Sequence, residues 1–216
     1  MILKLITKDF KVSGRKIFLL ILAYMLLGGI FYMKFYPWNV FMMAGYFLFS
    51  TAASYFSFMD KRDSSEILML SLPVSKGQIV AARYITSLIT FIAGLTLWYL
   101  TAFTFNEFHY ESSMSFEQIL YIKVLFIAFL FFSIQQSIFL PSFFGLSFIW
   151  MIIVFIISIV IAVLPIPILF QTYKKDFNPL FTMDDFSLIL ILSIVILSLI
   201  IISFTVSNRI YKSTDN

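Results

Sequence analysis

Asp60-Lys61-Arg62-Asp63-Ser64-Ser65-Glu66-Ile67-Leu68-Met69-Leu70-Ser71-Leu72-Pro73-Val74-Ser75-Lys76-Gly77-Gln78-Ile79-Val80-Ala81-Ala82-Arg83-Tyr84 is the stretch that decides how this chain is organised. It holds two helix starts. Asp63 with Glu66 three residues later forms an N-terminal box ahead of Ile67, Leu68 and Leu70, and Ser75 with Gln78 forms a capping box proper. Pro73 breaks the chain between them. Upstream lies an apolar run from Val40 to Met59; downstream a second runs from Tyr84 to Phe105 and stops at Asn106-Glu107. Each run is long enough to cross a bilayer and nearly free of charge. The stretch therefore predicts a short amphipathic helix over 60–72, a break, and a second helix that climbs into the next span. A plain hairpin between two spans needs only a few residues, so the extra helix predicts that something docks there. The alternative is an interfacial helix resting on lipid.

The rest of the chain has the same character. Of 216 residues 61% are hydrophobic and 12% charged, and the mean hydropathy is +0.99. Soluble domains run at about 45–50% apolar and about 25% charged, and a chain of this size cannot hide the excess in one aqueous core. Lipid is the solvent for most of it. About 132 apolar residues allow at most six or seven helical spans of about 20 residues each. Punctuation by charge and proline predicts six, at about 17–36, 40–59, 84–105, 119–140, 146–170 and 186–206. The fourth is expected to end at Pro141, and the fifth carries Pro165 and Pro167 near its end.

Lys and Arg set the orientation. With the N-terminus inside, the inner segments hold Lys4, Lys8, Lys11, Arg15, Lys16, Lys61, Arg62, Lys76, Arg83, Arg209 and Lys212. The outer side keeps Lys34, Lys123, Lys174 and Lys175 together with Glu107, Glu111, Glu117, Asp176, Asp184 and Asp185. This asymmetry predicts both termini in the cytoplasm. The connection around Pro141 to Gly145 has no charge, so its side follows from parity alone. The first apolar run is longer than the core of a signal peptide and is read as a retained helix.

Residues 1–14 form a separate element. On a helical wheel Lys4, Lys8, Lys11 and Arg15 share a narrow sector, with Ile2, Leu3, Ile6 and Phe10 opposite. Both stripes keep register, which predicts an interfacial helix with its basic face toward anionic headgroups. A disordered basic leader that only sets topology is the alternative.

Several chemistries are excluded. The net charge of +4 and pI of 9.2 come from basic residues scattered among separate loops, which is not a nucleic-acid footprint. There is no cysteine, hence no disulfide, thiol nucleophile or thiolate metal site. No G-x-x-x-x-G-K-[ST] loop exists to cradle a nucleotide, no G-x-S-x-G holds a serine, and His109 is the only histidine. The spans hold no buried charge of the kind that marks proton-coupled pumps. No feature of the chain points to an enzyme or to a metal site.

The acidic–basic cluster closing the second span, Glu66, then Ser71-Leu72-Pro73-Val74-Ser75-Lys76 and Ile79-Val80-Ala81-Ala82-Arg83-Tyr84, resembles the loop of ABC-2 type transporter permeases. The six spans, the inner termini and the amphipathic leader extend the resemblance over nearly the whole chain. It implies an all-α membrane protein, one domain over 1–216, with 1–14 as an elbow helix and 60–72 as a cytoplasmic coupling helix. Asp60, Arg62, Asp63, Glu66 and Leu70 would then contact a separate ABC ATPase, present in two copies, which carries the ATP and Mg; this chain would bind no cofactor itself. A second permease subunit, identical or paralogous, would complete the transporter. Small permeases of this flavour are similar to those that expel amphipathic peptides such as phenol-soluble modulins from bacterial cells. Only residues 171–185 follow the fifth span, so a large extracellular gate is not expected.

Ser50, Ser54 and Ser57 share one face of the second span, and Gln135 lies in the fourth with Gln136. Such a face either lines a substrate path or allows close helix packing. A buried glutamine in lipid needs a partner, so at least one of the two should face protein. A non-transporting membrane protein, an immunity protein or scaffold that binds a peptide or partner, is the competing reading of the whole chain.

Overall fold

A computed structural model describes residues 2–11, 18–19, 22–23, 50–54, 57, 74–108, 122–163 and 185–213. Among these only 74–75 and 146–147 are not helical, and no strand occurs. The chain divides into two units, 1–120 and 121–216. Uniform helicity is what a bilayer demands, because each segment must satisfy its own backbone groups where no water can. The run Ile152-Ile153-Val154-Phe155-Ile156-Ile157 makes the point. In water its branched side chains would favour a strand, yet here it lies in the middle of a helix.

The described helices are α1 (residues 2–11), α2 (Lys76–Phe108), α3 (Ile122–Gly145), α4 (Phe148–Val163) and α5 (Asp185–Ser213). Within them Lys76–Thr101, Ala128–Gly145 and Phe186–Ser213 are long and apolar enough to cross a membrane, while Phe148–Ile161 is apolar but shorter. The expected first and second spans lie largely outside the described residues, as do 60–72, the expected coupling helix.

In the first unit α2 begins where the capping box places it. The Gln78 amide N–H donates to Ser75 Oγ at 3.4 Å, and the Ser75 N–H donates back to Gln78 Oε1 at 3.2 Å. Two orphan donors at the helix start are thus satisfied reciprocally. The helix then runs 33 residues, about 50 Å at 1.5 Å each. It passes Tyr84, the expected start of the span, without interruption. Arg83 was expected to bound the span from outside; instead it is buried at 2% exposure inside the helix. Its charge is met by Asp9 of α1, so the expectation that buried charge is missing is corrected at this point.

The leader is helical over 2–11, but its buried face differs from the expected one. Leu5, Ile6 and Asp9 are buried and Ile2 half-buried, a stripe at i, i+3, i+4 and i+7. Leu3, expected in the apolar stripe beside Ile2 and Ile6, is 77% exposed. The helix therefore has three sectors: one packed on protein, an exposed apolar edge at Leu3, and the basic stripe with Lys4 and Lys11 exposed. A two-faced wheel drawn by hydropathy merges the first two.

In the second unit α3 and α4 form a hairpin with a two-residue turn at Leu146-Ser147. The Leu146 N–H donates to the Ser142 carbonyl and the Met151 N–H to the Ser147 carbonyl, both at 2.9 Å, so Ser147 sits at the N-cap position of α4. Phe139 and Phe155 meet edge-on across the hairpin at 5.2 Å between ring centres. The expected end of the fourth span at Pro141 is corrected: the helix continues through the proline to Gly145. Proline supplies no N–H to the Ser137 carbonyl four residues back. The Ser203 hydroxyl of α5 donates to that same carbonyl at 3.1 Å. A neighbouring helix thus replaces the missing bond, which is how membrane helices tolerate internal proline.

α5 packs along α3 in the same direction. Ser137 meets Ser203, Phe144 meets Tyr211 at 4.9 Å between ring centres, and Gly145 faces Ile210. A constant sequence offset of this kind means parallel helices. The turn after Gly145 and the C-terminal end of α5 consequently lie at the same end of this unit. A β-carbon on Gly145 would sit 2.8 Å from Ile210 Cγ2, so glycine is what permits the approach.

Candidate functional site

Two polar groups are built into the first unit. The first is a buried charge cluster. Arg83 Nη1 donates to Asp9 Oδ2 at 3.0 Å, and Thr86 Oγ1 donates to the same oxygen at 3.4 Å. Lys8 Nζ stands 4.0 Å from the other carboxylate oxygen. Arg83 and Thr86 share one face of α2 at i and i+3, so one helix face presents both donors to one acceptor. Burial pushes the Asp9 carboxyl above its usual range, against the pull of Arg83, Lys8 and the Thr86 hydroxyl. Burial, with Arg83 close by, also holds the Lys8 ammonium below its usual range. Desolvation outweighing attraction is the mark of a buried pair that contributes little net stability but is costly to break.

The second group is a run of hydroxyls. Thr86, Ser87, Thr90 and Thr101 are buried along the Arg83 side of α2, with Trp98 among them. Thr90 and Thr101 donate to the carbonyls four residues back, both at 2.9 Å, and so carry their own partners into the apolar interior. Ser87 instead reaches across to the Ala53 carbonyl at 3.1 Å. Ser50, Ser54 and Ser57, the expected path residues of the second span, are all buried in this unit together with Ala52 and Ala53. Ser54 Oγ donates to the Ser50 carbonyl at 3.5 Å, and the Ser57 hydroxyl has no hydrogen-bond partner among the described residues. Small side chains and one crossing hydrogen bond bring these two helical segments close.

Gln135 belongs to the second unit and is completely buried in α3. Neither its amide nitrogen nor its oxygen has a hydrogen-bond partner among the described residues. Each unmet group costs about 1–3 kcal/mol relative to a paired one. Gln136 beside it is buried too.

The expected coupling residues Asp60, Arg62, Asp63, Glu66 and Leu70 lie outside the described residues, as does His109. Among the described residues no three His, Cys, Asp or Glu side chains gather to hold a metal. The Asp9–Arg83 pair and the α2 hydroxyls were not anticipated from sequence. The available signal was Asp9 itself, an acid in a basic leader, centred on the face that Ile2, Leu5 and Ile6 define.

Neither the curated proteins nor the solved structures contain a similar chain. The family described as ABC-2 family transporter protein matches residues 4–212, so the match takes in most of the leader, the capped start of α2 and all but the ends of the described helices. Apolar helices of membrane-crossing length, a capped helix running into one of them and a match across nearly the whole chain agree: this protein belongs to the ABC-2 transporter family, as a membrane component.

Proposed function

We propose that the chain is the transmembrane permease subunit of an ATP-driven exporter in a bacterial cell membrane, with both termini cytoplasmic. The family match over residues 4–212 carries this reading. The sequence has no phosphate-binding loop, so ATP and Mg belong to a separate ATPase, working as two copies under two permease subunits. Residues 60–72 form the coupling helix, and Asp60, Arg62, Asp63 and Glu66 suit charge-assisted contacts with that soluble partner.

The cargo in this proposal is an amphipathic peptide or another hydrophobic molecule. A strongly hydrated solute would lose its water among these spans without replacement, at roughly 1–3 kcal/mol per unmet hydrogen bond. An amphipathic peptide already resides in the bilayer and brings its own donors and acceptors. Gln135 offers an unmet donor and acceptor together, the complement of a peptide bond. Ser50, Ser54 and Ser57 supply small hydroxyls on one helix face.

The test is reconstitution of the permease with the ATPase that co-purifies with it. ATP hydrolysis should rise when an amphipathic peptide is added and stay flat with a hydrophilic sugar. Ser54→Trp should abolish the peptide response while the protein still inserts. Stimulation by the sugar alone would overturn the cargo assignment, and failure of any ATPase to associate would favour the non-transporting scaffold.

A further inference from the structure

The Asp9–Arg83–Thr86 cluster is absent from the function just proposed, although it is the only buried ion pair among the described residues. Its position is specific. Asp9 is the last buried residue of α1, and its partner Arg83 lies two turns into α2, about 11 Å from the capped start at Lys76. The Ser75–Gln78 box closes that start, so α2 does not fray between the cap and Arg83. Any displacement delivered to the beginning of α2 therefore reaches Arg83 undiminished.

Beside Asp9 the buried face of α1 is apolar. Ile2, Leu5 and Ile6 pack without directional bonds, and such a face tolerates sliding by a turn or a small rotation. Two donors on one oxygen do not. Moving α1 by one residue would swing Asp9 about 100° off the face and take its carboxylate away from both Arg83 and Thr86. A buried polar contact inside an apolar seam is the arrangement that selects one register among several of similar packing energy.

We propose that Asp9, Arg83 and Thr86 form a register lock that joins the leader helix to the inner third of α2, so that the two move as one body when the transporter works. The leader then rides on α2 and does not float independently in the interface. The lock itself stands on the geometry of the first unit; its role during transport rests on the permease reading.

The sequence contains no cysteine, so introduced thiols label uniquely. Thr7 and Thr96 are both exposed, on α1 and α2 respectively. Spin labels at Thr7→Cys and Thr96→Cys, diluted with unlabelled protein, report the distance between the helices. In the purified wild-type background one narrow distance is expected, and in Asp9→Asn that narrow distance should be lost to a broad distribution. Arg83→Lys, which keeps the charge but not the guanidinium that donates to Asp9 Oδ2, should fall between them. A distribution as narrow in Asp9→Asn as in wild type would overturn the lock. With the ATPase added and nucleotide trapped, the wild-type distance should stay unchanged while a label pair from Thr96→Cys to Thr205→Cys shifts. A shift between Thr7 and Thr96 would overturn the one-body claim. No shift in either pair would count against the permease reading and leave the lock standing on the nucleotide-free result.

Discussion

α2 and α5 are both long apolar helices, but they are held by opposite means. Of the apolar window of α2, 56% is buried within the chain; of α5, 6%. α2 turns a charge and a row of hydroxyls inward, from Arg83 through Thr90 to Thr101. α5 turns Phe186, Leu190, Ile194, Leu197, Ile201 and Ile202 outward. In a bilayer the outward face costs nothing, because lipid tails are as apolar as leucine. What holds α5 is a narrow strip along its length, with Leu188, Ile196, Ser203, Ser207 and Tyr211 buried, and with Ser203, Ile210 and Tyr211 meeting α3. The lesson is that hydrophobicity places both helices in the membrane and fixes neither. Buried polarity fixes α2, whereas close approach at a glycine and one borrowed hydrogen bond fix α5.

The largest expected effect tests the charged side of that contrast. Asp9→Asn removes the carboxylate charge that meets buried Arg83 at 3.0 Å, and breaking a buried pair costs about 3–5 kcal/mol in comparable sites. Proteolysis of the purified protein should then cut the leader readily. The neutral pair Asp9→Leu with Arg83→Met should regain most of the protection, since an apolar replacement avoids desolvation. If the single substitution leaves the leader fully protected, charge is not what anchors α2. Next in size is Gly145→Val, which must push Ile210 aside and should cost about 1–3 kcal/mol as overpacking. Thermal unfolding in detergent should show the loss, and leader protection should be untouched.

Two smaller effects sharpen the comparison. Ser75→Ala removes one half of the capping box and should cost about 1 kcal/mol, seen as faster amide exchange over residues 76–78. Ser203→Ala removes the hydroxyl that serves the Ser137 carbonyl and should cost about 0.6 kcal/mol, typical of a hydrogen bond between membrane helices. Pro141→Ala restores an N–H to that carbonyl, so in this background Ser203→Ala should be almost silent. An undiminished Ser203→Ala effect there would show that the proline is not what the serine compensates.

How much of this could be read from sequence differs element by element. The start of α2 was legible because Ser75 and Gln78 are three residues apart, and a capping box is a local rule. Apolar runs gave the approximate places of α2, α3 and α5. The end of α3 was misread because proline stops helices in water, where nothing replaces its missing donor. In lipid Ser203, 66 residues away, does so. Asp9 was missed for the same reason: its partners Arg83 and Thr86 are 74 and 77 residues distant. One sequence, however amphipathic its leader, gives hydropathy for each face but not which face meets protein. Ser50, Ser54 and Ser57 were legible as a small polar face, and the structure adds that they are buried and that Ser87 crosses to that segment at the Ala53 carbonyl.

We propose that a separate ATPase drives this membrane component through residues 60–72. The most direct measurement is ATP hydrolysis by the co-purified ATPase in liposomes, with wild-type permease and with Glu66→Lys. The account predicts that wild type stimulates hydrolysis and that the reversed charge removes most of the stimulation while insertion and leader protection stay normal. Equal stimulation by a normally folded Glu66→Lys protein would contradict it.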